Sequence, residues 1–401
     1  MAHPGVDAAY SYYYRVGETR AALRDKIPFF KHDLGQAEVE AVAKVLAGPI
    51  LTTGETVAQF ERGLEEYLGR RHAVALSSCT GALHLSLLAL GIGPGDEVIT
   101  TPLTFVATAT AILESGAKPV FVDVEPETGN LDANQIEAAL SPRTKAIMPV
   151  HLYGQMCDMQ AIRKIADKNS LHVIEDSAHC VEGSRAGSRP GELGDTACFS
   201  FYATKSLTCG EGGALVTDND ALAVKLRLLS LHGMNKTAAD RHREGYQHWD
   251  MEILGWKYNM SNIQAALLLP QLDRMEMNRD RRDTLAKRYE SLLAGVPHIT
   301  FPKTLQGVHH AHHLYPIWVT KEFRDFILNG LQEAGIGVVV NYRAIHLLTF
   351  FKKMGGFQPG DFPVAEQIGN CTISLPFYST MPEEHVTIVV DALKHLLKEY
   401  G

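Results

Sequence analysis

From about Ala73 to Val216 short apolar runs alternate with helix-periodic stretches, and no other feature limits the possible folds as tightly. The runs His72–Ser78, Glu97–Thr101, Pro119–Val124, Lys145–Val150, Leu171–Asp176, Cys198–Phe201 and Gly213–Thr217 read as strands. Helical patterns fall between them near 82–90 and 104–113, and again at 218–232. Strands that are apolar on both alternating faces have to be buried on both faces. The expected architecture is therefore α/β: a mainly parallel sheet with helices on each side. Ligands of such sheets gather outside the carboxyl ends of the strands. Ser78, Thr101, Asp176 and Ser200 all fall at or near those ends.

At 401 residues the chain can form one large core and a smaller one. The reading divides it into an N-terminal extension (1–28), a large domain (29–270) and a smaller C-terminal α+β domain (271–401), with shorter elements after Pro297. Residues 260–288 are strongly helical, and Pro270 is expected to kink or interrupt them. The polar stretch from His232 to Trp249 reads as a long loop. A net charge of −8 argues against a general nucleic-acid binder. No stretch approaches a membrane span, and Met1–Arg20 lacks the apolar core of a secretory signal. The six cysteines are scattered, without a Cys-x-x-Cys pair, as expected in a reducing compartment, and the predicted location is the cytoplasm.

The segment Phe199–Gly213 holds Lys205 in an apolar, glycine-flanked turn, and the run ending in Asp176 delivers a carboxylate from a buried strand. That pairing suits pyridoxal phosphate: the amine holds the aldehyde carbon, and the carboxylate keeps the ring nitrogen protonated so that the ring accepts electrons. A lone surface lysine is the competing reading of Lys205, and it weakens as further pieces fall in order. Ser77–Gly81 joins a strand to a helix start, where Ser78, Cys79 and Thr80 offer free N–H groups to a phosphate or, more simply, an N-cap. Phe105, just past a strand end, is either a ring-stacking residue or a core aromatic. Ser200 is a phosphate donor or an ordinary strand hydroxyl, and His179 a ring partner or a structural histidine.

Two tempting motifs are set aside. Gly91–Asp96 has the wrong spacing for a dinucleotide loop, and it follows a helix where that motif follows a strand. The run His309-His310-Ala311-His312-His313 lacks a carboxylate or cysteine at ligand spacing, so no metal site is expected. It reads as a surface turn entering a strand at 314–319.

With these residues assembled, the chain resembles the DegT/DnrJ/EryC1/StrS family of sugar aminotransferases from about Phe29 to Leu397. Gly48–Gly54 with Phe60-Glu61, Gly91–Thr110, Val150–Gln155, Glu175–His179 and the Lys205 segment follow in family order. Gly255–Met260 with Gln264–Ala266, Asn341–His346, Pro363–Glu366 and Ser374–Pro376 continue it. The resemblance implies a fold-type I pyridoxal 5'-phosphate enzyme, usually a homodimer with shared active sites. In it Lys205 holds the cofactor, Asp176 faces the pyridine nitrogen, Phe105 stacks on the ring and His179 lies near its hydroxyl. Ser78, Cys79, Thr80 and Ser200 match the phosphate cradle, and Asn259 reaches the neighbouring subunit's phosphate. Lys257, Tyr342 and His346 fall on the substrate side. Cys79 stands where a glycine is commoner, and Asn341 and Ala344 where His and Pro are frequent.

The implied reaction moves an amino group from glutamate, leaving 2-oxoglutarate, to a keto group of a nucleotide-linked sugar, with C4 preferred. A sugar dehydratase on the same scaffold is the alternative, but that relative carries histidine at the lysine position. A non-catalytic regulatory member is the other, and the complete Lys/Asp/His set disfavours it.

Overall fold

The computed structural model describes residues 26–236 and 248–400. Seven strands form the central sheet: β1 (His72–Leu76), β2 (Glu97–Thr100), β3 (Lys118–Phe121), β4 (Thr144–Ile147), β5 (His172–Asp176), β7 (Thr196–Ser200) and β8 (Gly213–Thr217). A two-residue strand, β6 (Ser184–Arg185), lies between β5 and β7 in sequence and pairs with β10 (Val308–His309). The spatial order is β1-β8-β7-β5-β4-β2-β3. Only β8 runs against the rest, antiparallel to both β7 and β1. A smaller sheet has the order β12-β11-β9, built from β9 (Ile299–Thr300), β11 (Tyr315–Val319) and β12 (Thr372–Leu375).

The helices are α1 (Gln36–Leu46), α2 (Glu55–Leu68), α3 (Cys79–Ala89), α4 (Val106–Glu114), α5 (Met159–Lys168) and α6 (Asp220–Ser230). They continue as α7 (Asn262–Leu272), α8 (Met275–Leu293), α9 (Arg324–Glu333), α10 (Thr349–Gly355), α11 (Pro363–Cys371) and α12 (Glu383–Tyr400).

The period-two alternation of the strands divides the interior. Val74, Leu76, Cys198 and Leu215 pack on the face covered by α3 and α6. Their neighbours Ala73, Ala75, Ala197, Phe199, Ala214 and Val216 pack on the face of α2 and α7. Two-sided burial explains why these strands read as unbroken apolar runs. A separate core joins the small sheet to α8, α9 and α12. Met275, at the start of α8, belongs to the core beneath β8, whereas Leu285, Tyr289 and Leu293 of the same helix belong to this second core.

Pro270 sits inside α7 rather than ending it. The chain breaks a few residues later at Asp273–Arg274, where the Arg274 guanidinium donates to the Pro270 carbonyl at 3.0 Å. The expected polar loop falls largely on residues 237–247, and most of the N-terminal extension on 1–25; both lie outside the described residues. Among the described residues no helix is long and apolar enough to cross a membrane, and no cluster of His, Cys, Asp or Glu could hold a metal.

Candidate active site

Strand β8 turns back beside β7, so the connection 201–212 stays at the carboxyl end of the sheet. Ser200 pairs with Gly213 at its base, and the Phe201 N–H donates to the Gly212 carbonyl at 2.8 Å. The side-chain amide of Gln271 grips this loop at Thr208, accepting its N–H at 3.1 Å and donating to its carbonyl at 2.7 Å. Lys205 is thereby held at the sheet end where β5 delivers Asp176. Burial lowers the Lys205 amine to about 8, against the opposing pull of the Asp176 carboxylate.

Asp176 is buried and accepts hydrogen bonds from the Thr108 hydroxyl (2.8 Å) and the Ala178 N–H (3.2 Å). Burial raises its carboxyl above the ordinary range, with the Thr108 and Ala178 bonds and the Lys205 charge opposing. A buried carboxylate bonded by a neutral hydroxyl and an amide is a seat for a cation.

His179 accepts the Tyr153 N–H at Nδ1 (3.3 Å), which puts its proton on Nε2, facing the Tyr342 hydroxyl at 3.1 Å. Burial, reinforced by the Lys205 charge, holds His179 well below the usual histidine range, so the ring is neutral. Phe105 is the N-cap residue of α4; it stays 57% exposed and lies 6.0 Å, centroid to centroid, from Tyr342.

The turn 77–81 opens α3. Ser78 is its N-cap, with Oγ accepting the Gly81 N–H at 3.0 Å, and Cys79 and Thr80 are the first helical residues. Gly213 passes so close that a Cβ there would lie 2.3 Å from the Ser78 carbonyl carbon and 2.4 Å from the Cys79 nitrogen. The helix start can occupy this place only because residue 213 has no side chain. The Ser200 hydroxyl, at the end of β7, accepts the Tyr202 N–H at 3.4 Å. Burial keeps the Cys79 thiol well above its ordinary pKa, hence protonated.

Asn259 lies beside the end of β1, where the Ser77 N–H donates to the Tyr258 carbonyl at 2.7 Å. Its amide donates to the Thr53 hydroxyl and accepts from Lys257 Nζ, each at 2.6 Å. His346 is not gathered with Lys205. It is fully buried, with Nε2 3.1 Å from Glu366 and its ring against Phe362.

One expectation is overturned. The histidine run is not a surface turn: His310, His312 and His313 are buried. His313 Nε2 lies 3.5 Å from Lys205 Nζ, and its ring packs 4.4 Å from that of His179. The segment lies inside because α8 supplies partners, including the Arg282 guanidinium on the Ala311 carbonyl and Asp283 at 3.3 Å from His312. Gln271, Arg282 and His313 were missed. Lys205 and His313 are more than a hundred residues apart, and only the Leu314–Val319 strand signal hinted that the run entered a core.

These residues form a donor set that fits pyridoxal 5'-phosphate: a half-buried amine of lowered basicity, a buried carboxylate seeking a cation, an exposed aromatic ring and a helix start. Residues 32–394 match the DegT/DnrJ/EryC1/StrS aminotransferase family. The chain is 42% identical over 378 residues to the spore coat polysaccharide biosynthesis protein SpsC of Bacillus subtilis, covering 93% of this chain and 97% of that protein. The PLP form of the Streptococcus pneumoniae putative sugar aminotransferase Spr1654 superposes with a TM-score of 0.88 at 31% identity, covering 94% and 99% of the two chains. Helicobacter pylori PseC, an aminotransferase of pseudoaminic acid biosynthesis, gives 0.87 at 30%, covering 94% and 100%. The fold is the fold-type I arrangement of those enzymes, and the cofactor is pyridoxal 5'-phosphate. The chain belongs to the DegT/DnrJ/EryC1/StrS aminotransferase family.

Proposed function

We propose that the protein transfers an amino group from glutamate to a keto group, at C4, of a nucleotide-linked sugar, acting as a cytoplasmic homodimer with shared sites. The observation that carries this reading is the arrangement of a half-buried Lys205 and a buried Asp176 carboxylate at one end of the sheet. The similarity to SpsC and PseC, whose names concern polysaccharide and pseudoaminic acid biosynthesis, supports a sugar acceptor. All six cysteines are free, in keeping with a reducing compartment.

In this reading Lys205 would hold the cofactor aldehyde, Asp176 its ring nitrogen and Phe105 one ring face. Ser78, Cys79, Thr80 and Ser200 would hold its phosphate, with Asn259 serving the partner subunit's site. When bound, the cofactor supplies the carbonyl that exchanges amines and a ring that withdraws electrons. Lys205 Nζ, brought to about 8, accepts and returns a proton close to neutral pH. Asp176 holds positive charge against it, and the neutral His179 keeps its Nε2 proton on Tyr342. Tyr342 and Lys257 lie on the substrate side. His346 supports that side indirectly by anchoring residues 345–347 to Glu366.

The same reading divides the protein into a large part (29–270) and a small part (271–401). The change of core comes a little later, along α8 between Met275 and Leu285, so the two cores support a division near this boundary, some residues beyond 270.

A visible-range spectrum with and without glutamate tests the donor step: the absorption of the lysine-bound cofactor should fall on mixing. No change would reject glutamate. A screen of UDP-, GDP- and dTDP-linked keto sugars then tests the acceptor. Lys205→Ala should abolish turnover, and intact turnover would reject the assignment.

A further inference from the structure

His313 and Lys205 are held together from both sides by one buried ion pair. Arg282 Nη2 donates to Glu182 Oε1 at 2.7 Å and to the Ala311 carbonyl at 3.1 Å. Glu182 Oε2 in turn accepts the Ser206 hydroxyl at 3.2 Å. One guanidinium–carboxylate pair thus fixes the residue after the lysine and the residue two before the histidine. The backbone of His313 is pressed on a turn whose tightness needs Gly154. The Tyr153 carbonyl accepts the His313 N–H at 3.0 Å, and a Cβ on Gly154 would come within 2.9 Å of the His312 nitrogen. Behind the His313 ring stands His179, 4.4 Å away between centroids.

We infer that His313 is a positioning residue for the reaction, its Nε2 accepting a hydrogen bond from the Lys205 amine and setting the direction of that amine's lone pair. As an ammonium, Lys205 can only donate, so in that state the Nε2 lone pair faces it and the imidazole proton sits on Nδ1; the bond persists when the amine gives up one of its other protons. With one N–H committed to His313, the amine's lone pair and remaining N–H are turned away from that side. Without the acceptor the amine is free to rotate about its last carbon bond.

The charged and titratable groups around the pair agree. Lys205 faces Asp176 from β5, Cys79 from the start of α3, His179 and His313. Burial first, then the Lys205 and Arg282 charges, hold His313 well below the usual histidine range. It therefore keeps an acceptor lone pair throughout the working pH range.

The inference rests on Lys205 being the reacting amine, and its test separates the two. His313→Gln puts an amide oxygen about where Nε2 stands. His313→Asn offers the same group one bond short, and His313→Leu keeps bulk without an acceptor, as a second variant should Asn not fold. In the cofactor-free protein, acetylation of Lys205 is followed by peptide mass spectrometry across pH. Wild type and Gln should titrate alike, whereas Asn and Leu should titrate at lower pH, because losing an acceptor disfavours the charged amine. In the loaded enzyme, kcat should fall about tenfold for Asn and Leu, the scale of one hydrogen bond, with the donor KM unchanged and Gln close to wild type. Gln and Asn behaving alike in both measurements, whether intact or equally impaired, would overturn the role. Borohydride reduction of the loaded enzyme that leaves no cofactor on the Lys205 peptide would instead reject the functional reading.

Discussion

Replacing Arg282 by Met removes one partner of an ion pair whose side chains are only 4% (Arg282) and 1% (Glu182) exposed. The Glu182 carboxylate would stay buried with the Ser206 hydroxyl at 3.2 Å as its remaining described donor. Breaking a buried pair from one side costs about 3–5 kcal/mol, because the surviving charge is uncompensated. The Ala311 carbonyl also loses both guanidinium donors, at 3.3 and 3.1 Å. Removing both charges, in Glu182→Leu/Arg282→Met, relieves the stranded charge and leaves only neutral groups unpaired, at about 1 kcal/mol each. The double variant should therefore be more stable than Arg282→Met alone by about 1–3 kcal/mol. Urea denaturation of the cofactor-free protein, at one fixed protein concentration so that self-association cannot shift the result, reads these differences directly. An Arg282→Met cost below about 1 kcal/mol, or a double variant as unstable as the sum of the singles, would refute the reasoning.

Asp176→Asn keeps the Thr108 contact and removes the charge. It should lose most turnover while retaining some cofactor, as measured by cofactor absorbance alongside rate. Gly213→Ala drives a Cβ to 2.3 Å from the Ser78 carbonyl carbon, so the start of α3 must shift; cofactor affinity should fall at least tenfold in equilibrium titration, about 1.4 kcal/mol or more. Burial holds His179, His310 and His313 well below their ordinary range and brings His312 to about 3. Unfolded chains take up these protons near pH 6.5 while the folded protein does not, so the unfolded state binds more protons and stability falls as pH drops below that value. The limiting slope is about 1.4 kcal/mol per pH unit for each histidine, and His313→Gln should reduce it in urea titrations of the cofactor-free protein at several pH values.

The strands and Asp176 were legible because two-sided burial leaves a continuous apolar signature that stops where the sheet ends. Ser78 was legible for a local reason: a cap bonds within three residues of itself. His313 was not legible. Four histidines in five residues look solvated until Arg279, Arg282 and Asp283 arrive from a helix some thirty residues earlier. The antiparallel course of β8 was equally hidden, since a strand's direction leaves no mark on its composition, yet that reversal keeps the lysine loop at the right end. Pro270 marked an interruption that falls a few residues after it, at Asp273–Arg274. The missing N–H was tolerated inside α7, and Arg274 took up the proline carbonyl beyond it.

Helix α8 begins in one core and ends in the other, with Arg282 midway along it. A rod seated in both cores carries strain between them: a shift of the small sheet that displaced this helix would bear first on the grip at residues 206 and 311, next to Lys205 and His313.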